Sequence, residues 1–172
     1  CATAAAPLSA NPLCYDYRYV TGINGPNAGT APAFSHTTVW GTALNVSWDI
    51  TDQLELRSIT AFRELNSEFS RDGDHSPLTI SQFYDSLDQQ QLSEELQLLG
   101  KSFDDRLNWI VGLYWFQEDG LNVNLLDFII SSFRSGGYFD NSSKAIFAQG
   151  TYDLTDRLHL TAGECAEPDG GL

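Results

Sequence analysis

The densest grouping of chemistry-bearing side chains is Asp72-Gly-Asp74-His75-Ser76. Alternating Asp residues supply hard oxygen ligands of the kind a cation takes. No Glu follows at the spacing a calcium loop needs, so the run is expected to be a solvated loop tip instead. His36, His75 and His159 are widely scattered and never fall at metal-ligand spacing; isolated polar positions account for them. No Gly-rich phosphate loop opens a helix, and no Ser–His–Asp set has a supporting context. Without a nucleophile beside its base, the expectation is a protein that is not an enzyme, with no catalytic residue, metal site or cofactor.

Three cysteines remain. Cys1 and Cys14 flank a Pro- and Asn-containing segment, which suits either a loop disulfide in an oxidising compartment or two unpaired thiols. The small-residue opening Cys1-Ala-Thr-Ala-Ala-Ala fits the mature start of a lipoprotein or the boundary of a piece of a longer chain. With no Met anywhere and no charged-then-apolar leader, the second is expected. The formal charge is −14 with only nine Lys plus Arg, and so acidic a surface repels phosphate backbones, which excludes nucleic acid as a partner. No run of eighteen apolar residues forms a membrane helix. Barrel strands, which alternate, escape that test.

Whatever positions these groups must be extended chain. Residues 1–35 are rich in Ala, Pro, Gly and Asn without a sustained period and read as a long loop. Beyond them, Trp40, Thr42, Leu44, Val46, Trp48 and Ile50 take one face of a strand, with Gly41, Ala43, Asn45, Ser47 and Asp49 on the other. A second strand is expected from Leu54 to about Ser70, a third from Leu87 to Leu99 and a fourth from Leu107. A fifth runs from about Asn141 to Leu154, and Leu158 begins a sixth. The turn Asp49-Ile-Thr-Asp-Gln-Leu54 recurs as Asp153-Leu-Thr-Asp-Arg-Leu158, with Phe103-Asp-Asp-Arg-Leu107 as a looser copy between them. The copies lie roughly fifty residues apart, the length of two strands, one turn and one long loop. Long loops are expected over 71–85 and 119–138, opposite the short turns. The fold class is therefore all-β: an antiparallel meander of about six long strands, part of a transmembrane β-barrel, with long loops on one side and short turns on the other.

A soluble sandwich would show the same alternation, because it hides inside the face that a barrel shows to lipid. The aromatics discriminate. Trp48, Trp109 and Tyr152 sit three residues in from the short turns, and Trp40, Phe62 and Trp115 sit nine to eleven residues in, all on the apolar face. At roughly 2.5 Å of climb per residue the rows stand about 15–20 Å apart. That spacing is compatible with two aromatic girdles bordering an apolar band of about 25 Å. Glu64 and Glu94 fall on the lipid-side register but near the outer row, where a charge costs little.

Several stretches then resemble one family. Leu56-Arg-Ser-Ile-Thr-Ala-Phe-Arg-Glu64, Arg71-Asp-Gly-Asp-His-Ser-Pro77 and Gln91-Leu-Ser-Glu-Glu-Leu-Gln-Leu98 are similar to barrel segments of proteobacterial TonB-dependent receptors. So are Leu107-Asn-Trp-Ile-Val-Gly-Leu-Tyr-Trp-Phe-Gln-Glu118 and Ala145-Ile-Phe-Ala-Gln-Gly-Thr-Tyr-Asp-Leu-Thr-Asp-Arg-Leu158. The resemblance covers 36–163 in the family's order. It implies an outer-membrane transporter with a barrel of about 22 strands closed by a plug. Such receptors take up iron–siderophore complexes, cobalamin, haem or sugars with energy delivered by TonB. The expected partners are outer-membrane lipid, the remaining barrel and plug, TonB indirectly through the plug, and a small nutrient ligand such as an iron–siderophore. The expected location is the bacterial outer membrane. Nothing here resembles the plug or a TonB box, and six strands cannot close a membrane barrel, whose smallest form has about eight. Glu164-Cys-Ala-Glu-Pro-Asp-Gly-Gly-Leu172 departs from the family's next strand and reads as an atypical tail, from truncation or a shifted frame.

Within such a barrel Glu55, Arg57, Arg63, Glu95, Gln97 and Lys144 face the lumen, where they guide a polar ligand or brace the wall against the plug. Tyr15, Tyr17, Tyr19, Phe83, Tyr84, Phe128, Phe133 and Tyr138 fall on the long loops. There they suit the face of a catecholate, haem or sugar, or pack the loops together. The substrate-binding residues stay unknown at this level. A passive porin-like barrel and a secreted soluble β-sandwich binding module are the competing functions.

Overall fold

The computed structural model describes Tyr19, Gly22 and residues 24–167. Six strands follow one another: β1 (Phe34–Thr51), β2 (Leu54–Asp72), β3 (Ser81–Ser102), β4 (Leu107–Phe128), β5 (Ser131–Thr155) and β6 (Leu158–Ala166). They form one sheet in the order β1-β2-β3-β4-β5-β6, so each strand pairs with its neighbours in sequence. β2 to β5 have 19 to 25 residues, several times the usual soluble strand.

The three short turns solve one problem in two ways. In the first and third copies the Thr before the turn accepts backbone amides: Thr51 Oγ1 from Gln53 N at 3.2 Å, and Thr155 Oγ1 from Arg157 N at 3.3 Å and Leu158 N at 3.1 Å. A hydroxyl there replaces a backbone acceptor in the turn. The middle copy has no Thr. Its Phe103, Asp104 and Asp105 all take positive φ, at 57°, 55° and 65°, and Arg106 N closes the turn on Phe103 O at 3.2 Å. Positive φ at both central residues is the hairpin geometry matched to strand twist, and Asp tolerates it better than most residues.

The described chain gathers into two compact units. One holds the described residues before Val39, Asn66–Asp88 and Leu121–Tyr138; the other holds Val39–Leu65, Gln89–Gly120 and the described residues from Phe139 onward. In the first, the expected loops are largely strand. β2 continues to Asp72 and β3 begins at Ser81, so 71–85 shrinks to a connection over 73–80. The stretch 119–138 is not a loop: β4 runs to Phe128, β5 starts at Ser131, and only Ile129 and Ile130 turn. The composition misleads there because the polar residues are cross-strand fasteners. Asn122 Nδ2 donates to Asp85 Oδ2 at 3.2 Å and to Ser86 O at 3.3 Å. Gly136 has φ 124°, with its Cα so near Asn122 that a Cβ would lie 2.1 Å from the Asn122 carbonyl oxygen. Only Gly permits that approach.

In the second unit, Leu158 does begin a strand, but β6 reaches beyond Gly163. Glu164, Cys165 and Ala166 pair with Ala148, Phe147 and Ile146 of β5. The first residues of the expected tail are thus ordinary strand, because backbone pairing with β5 is indifferent to their side chains. Cys165 is an exposed thiol. Cys1 and Cys14, Tyr15 and Tyr17, and residues 168–172 lie outside the described residues.

Polarity is inverted relative to a soluble domain. Among the described residues the buried hydrophobic side chain is Ala145, while Ser70, Asp72, Asp74, Ser76 and Gln97 are buried and polar. The large apolar side chains point outward: Leu44 is 63% exposed, Trp48 64%, Leu113 52% and Leu160 61%. Leaving such side chains in water forfeits about 1.5–3 kcal/mol each. No second sheet covers them among the described residues.

Candidate functional site

The connection over 73–80 is built on two carboxylates. Asp72 Oδ1 accepts from Asp74 N at 3.1 Å and His75 N at 2.7 Å, and its Oδ2 from Thr30 N at 2.9 Å and Ala31 N at 3.2 Å. Asp74 Oδ1 accepts from Ser76 N at 3.1 Å and from the Ser76 hydroxyl, and its Oδ2 from Ile80 N at 3.2 Å and Ser81 N at 2.9 Å. Every carboxylate oxygen is therefore engaged twice. The expectation of a solvated tip is corrected here: Asp72, Asp74 and Ser76 are buried, Ser76 completely. These acids have become acceptors for backbone amides of a connection that leaves the strand ladder. Partial burial pushes the Asp74 carboxyl up, but the Ser76 hydroxyl and the amides of Ser81, Ser76 and Ile80 outweigh it. The net result lies below the usual carboxylate range.

The same unit holds the aromatics Phe83, Tyr84, Phe128, Phe133 and Tyr138, which were expected on loops and lie instead in β3, β4 and β5. Phe34 stacks on His36 at 5.1 Å and meets Tyr84 edge-on at 6.4 Å, and the Tyr84 hydroxyl donates to Glu68 at 3.2 Å. Phe83 meets Phe128 at 6.1 Å, and Phe128 meets Phe133 at 6.1 Å, both edge-to-face. Tyr138 stands well out from the surface. Sequence reasoning missed Arg71, whose guanidinium carbon lies 5.6 Å from the Phe69 ring centre and 4.9 Å from that of Phe83. Phe69 and Arg71 alternate on one strand and were legible as a pair. Phe83, brought in from β3, was not.

In the other unit the polar face of the sheet carries a hydrogen-bonded network. Arg57 pairs with Glu55 at 2.9 Å and reaches Ser47 at 3.4 Å. Gln97 donates to Glu95 and keeps a buried Oε1 without a partner among the described residues. Arg63 and Lys144 are exposed. A ladder of three strands adds to the set, in which Glu118 accepts from Gln89 and, at 3.1 Å, from Asn141. Phe147 lies over Gly112 on this face, as a Cβ at Gly112 would stand 2.1 Å from the ring. His159 contacts Asp153, its partner in the β5–β6 register. Among the described residues no three His, Cys, Asp or Glu side chains gather to hold a metal.

The opposite, apolar face carries the aromatic rows. Trp40 and Phe62 of the outer row touch at 5.3 Å. In the inner row Phe103 reaches Tyr152 at 6.5 Å, and Trp109 Nε1 donates to Ser102 Oγ at 3.1 Å. Amphipathic rings with a satisfied polar edge suit a boundary between water and hydrocarbon. The two acids expected near the outer row are there, and both are hydrogen-bonded. Trp40 Nε1 donates to Glu64 at 3.1 Å. Glu94 accepts from Ser58 at 2.7 Å and from Thr60. Gly100 against Trp109 and Gln90 against Asp119 put β3 and β4 in a register where Glu94 faces Trp115.

The sheet thus has an apolar face and a polar face, and the ends of β2 and β3 carry a cation beside two rings. The family model described as TonB dependent receptor-like, beta-barrel matches residues 5–163. No curated protein and no solved structure matches the chain.

Proposed function

The chain belongs to the TonB-dependent receptor family and carries part of its β-barrel, and on that premise we propose that it forms barrel wall and ligand-gathering loops of a receptor in the bacterial outer membrane. The family is one of transporters, not enzymes. The ligand we assign is a small nutrient of the iron–siderophore type, met by the aromatics of the strand ends. Outer-membrane lipid contacts the apolar face. A plug meets the polar face, with Glu55, Arg57, Glu95 and Gln97 as its nearest neighbours, and TonB acts through that plug. Residues 1–35 serve as an extracellular loop, and 36–163, continued by the rest of β6, as wall and loops.

The observation that carries this reading is the inverted polarity: exposed Leu44, Trp48, Leu113 and Leu160 against buried Asp72, Asp74 and Gln97. Water would make such a sheet aggregate, whereas hydrocarbon makes it stable. Bacteria producing the intact receptor, with and without TonB, provide the test. Accumulation of at least one ferric siderophore should require both proteins. Accumulation that ignores TonB and rises linearly with concentration would make the barrel a passive pore and overturn the reading.

A further inference from the structure

Resting on that receptor reading, we infer that Arg71 and the ring series beside it form a subsite for a flat, anionic part of the ligand. The sequence pattern puts Phe69 and Arg71 on the same face of β2, and strand pairing adds Phe83. The guanidinium carbon thereby lies near two rings, at 5.6 and 4.9 Å from their centres. Two rings within cation–π reach limit the freedom of the group while its N–H donors remain available. No carboxylate among the described residues pairs with it. The nearest acids in sequence, Asp72 and Asp74, already accept two hydrogen bonds at each oxygen and offer it nothing. Arg71 is also exposed. A cation that is flanked by rings, reachable and without a carboxylate partner among the described residues fits an oxyanion presented in a plane, which a guanidinium binds through two parallel N–H donors.

The neighbouring surface specifies the rest of the ligand. Phe83, Phe128 and Phe133 follow one another edge-to-face at 6.1 Å steps, and Phe128 and Phe133 stay open to solvent. Phe83 is seated firmly, since Gly73 beneath it has no room for a Cβ, which would stand 2.5 Å from the ring. The subsite therefore presents one planar cation continuous with a row of apolar ring faces and edges. An aryl carboxylate or another flat oxyanion matches both, and a neutral sugar matches only the rings. In a chain of net charge −14, which repels anions at long range, such a local exception is the feature that admits one.

The test uses the intact receptor in detergent with 2-naphthoate as probe and the neutral 2-naphthalenemethanol as control, read by probe fluorescence. Wild type should bind naphthoate at least fivefold tighter than the alcohol. Arg71→Ala should weaken naphthoate about five- to tenfold and leave the alcohol unchanged, in line with the loss of one charge-assisted pair at a solvent-facing site. Arg71→Lys should recover part of that loss, and Phe83→Leu should weaken both probes. Equal binding of acid and alcohol, or naphthoate binding indifferent to Arg71→Ala, would overturn the subsite. Each variant is also checked for heat-modifiable migration in outer-membrane fractions. A wild type absent from those fractions would count against the receptor reading itself, whereas a well-inserted barrel that ignores naphthoate would count against the subsite alone.

Discussion

The indole of Trp109 lies against Gly100 on the neighbouring strand, so closely that a Cβ built on Gly100 would stand 2.2 Å from Cζ2 of the ring. Ring over glycine recurs on the other face, where Phe147 covers Gly112. In each pair the glycine loses strand stability through its own flexibility and regains it by letting a ring lie on the backbone. Gly100→Val should therefore displace the Trp109 indole from Ser102 and cost about 1–3 kcal/mol as overpacking. Urea unfolding of the receptor in lipid vesicles would check this. Trp109→Leu should relieve the penalty of Gly100→Val, and additive losses would mean that the two residues do not touch.

The two faces make opposite demands on charge. Leu113 lies between Trp109 and Trp115 on the apolar face, and Tyr114 on the polar one. Leu113→Arg should cost about 2–4 kcal/mol in a bilayer, as lipid-facing arginines near the midplane do. Tyr114→Arg should cost well under half of that. Unfolding free energies in vesicles give both numbers, and the reverse ranking would mean the faces are assigned the wrong way round.

Glu94 tests how an acid survives on a lipid-facing register. Removing its donors by Ser58→Ala with Thr60→Ala leaves the carboxylate unsolvated and should cost about 1–3 kcal/mol, the penalty of an orphaned polar group. Adding Glu94→Leu to that pair should restore the stability, because an apolar trio suits hydrocarbon. If the triple variant were no more stable than the double, the hydroxyls would have some role other than serving the acid.

The Asp74 connection should loosen in acid. Its folded-state pKa lies below the ordinary carboxylate value, so its stabilisation is complete above the unfolded pKa and disappears as pH falls through the folded one. Hydrogen exchange of the amides of Ser76, Ile80 and Ser81, corrected for intrinsic rates, should stay slow at neutral pH and speed up towards acid. Asp74→Asn should exchange fast already at neutral pH and lose most of the pH dependence. A variant as protected as wild type would show that the carboxylate does not hold the turn.

The turns offer a pair of opposite outcomes. Thr155→Ala removes the acceptor of two amides and should cost about 0.5–1.5 kcal/mol. Asp105→Gly at φ 65° should instead gain up to about 1 kcal/mol by relieving a left-handed residue. Thermal unfolding in detergent would rank the two against wild type.

Much of this was legible in one dimension. Side chains of a strand alternate whatever the strand pairs with, so Trp40 to Ile50 and Leu107 to Trp115 announced their apolar faces directly. The Thr-Asp-x-Leu turns likewise depend on residues two or three apart and could be read as repeats. The two aromatic rows followed by counting from those turns. All-β architecture, strand order and the lipid-facing side were thus properties of the sequence itself.

What sequence could not decide is everything that depends on the register in which neighbouring strands pair. Glu94 gains its donors from residues 34 and 36 positions away, and Arg71 gains the Phe83 ring from the next strand. The stretch 119–138 looked like loop because its Asn and Gly residues have no partner in sequence. Only pairing with Asp85, Ser86 and the facing backbone turns them into strand. Asp72 and Asp74 looked solvated for the same reason, since the amides they hold belong to Thr30, Ala31, Ile80 and Ser81 as well as to their own neighbours. Alternation is a local consequence of extended backbone, whereas a hydrogen-bond partner is a property of the assembled sheet.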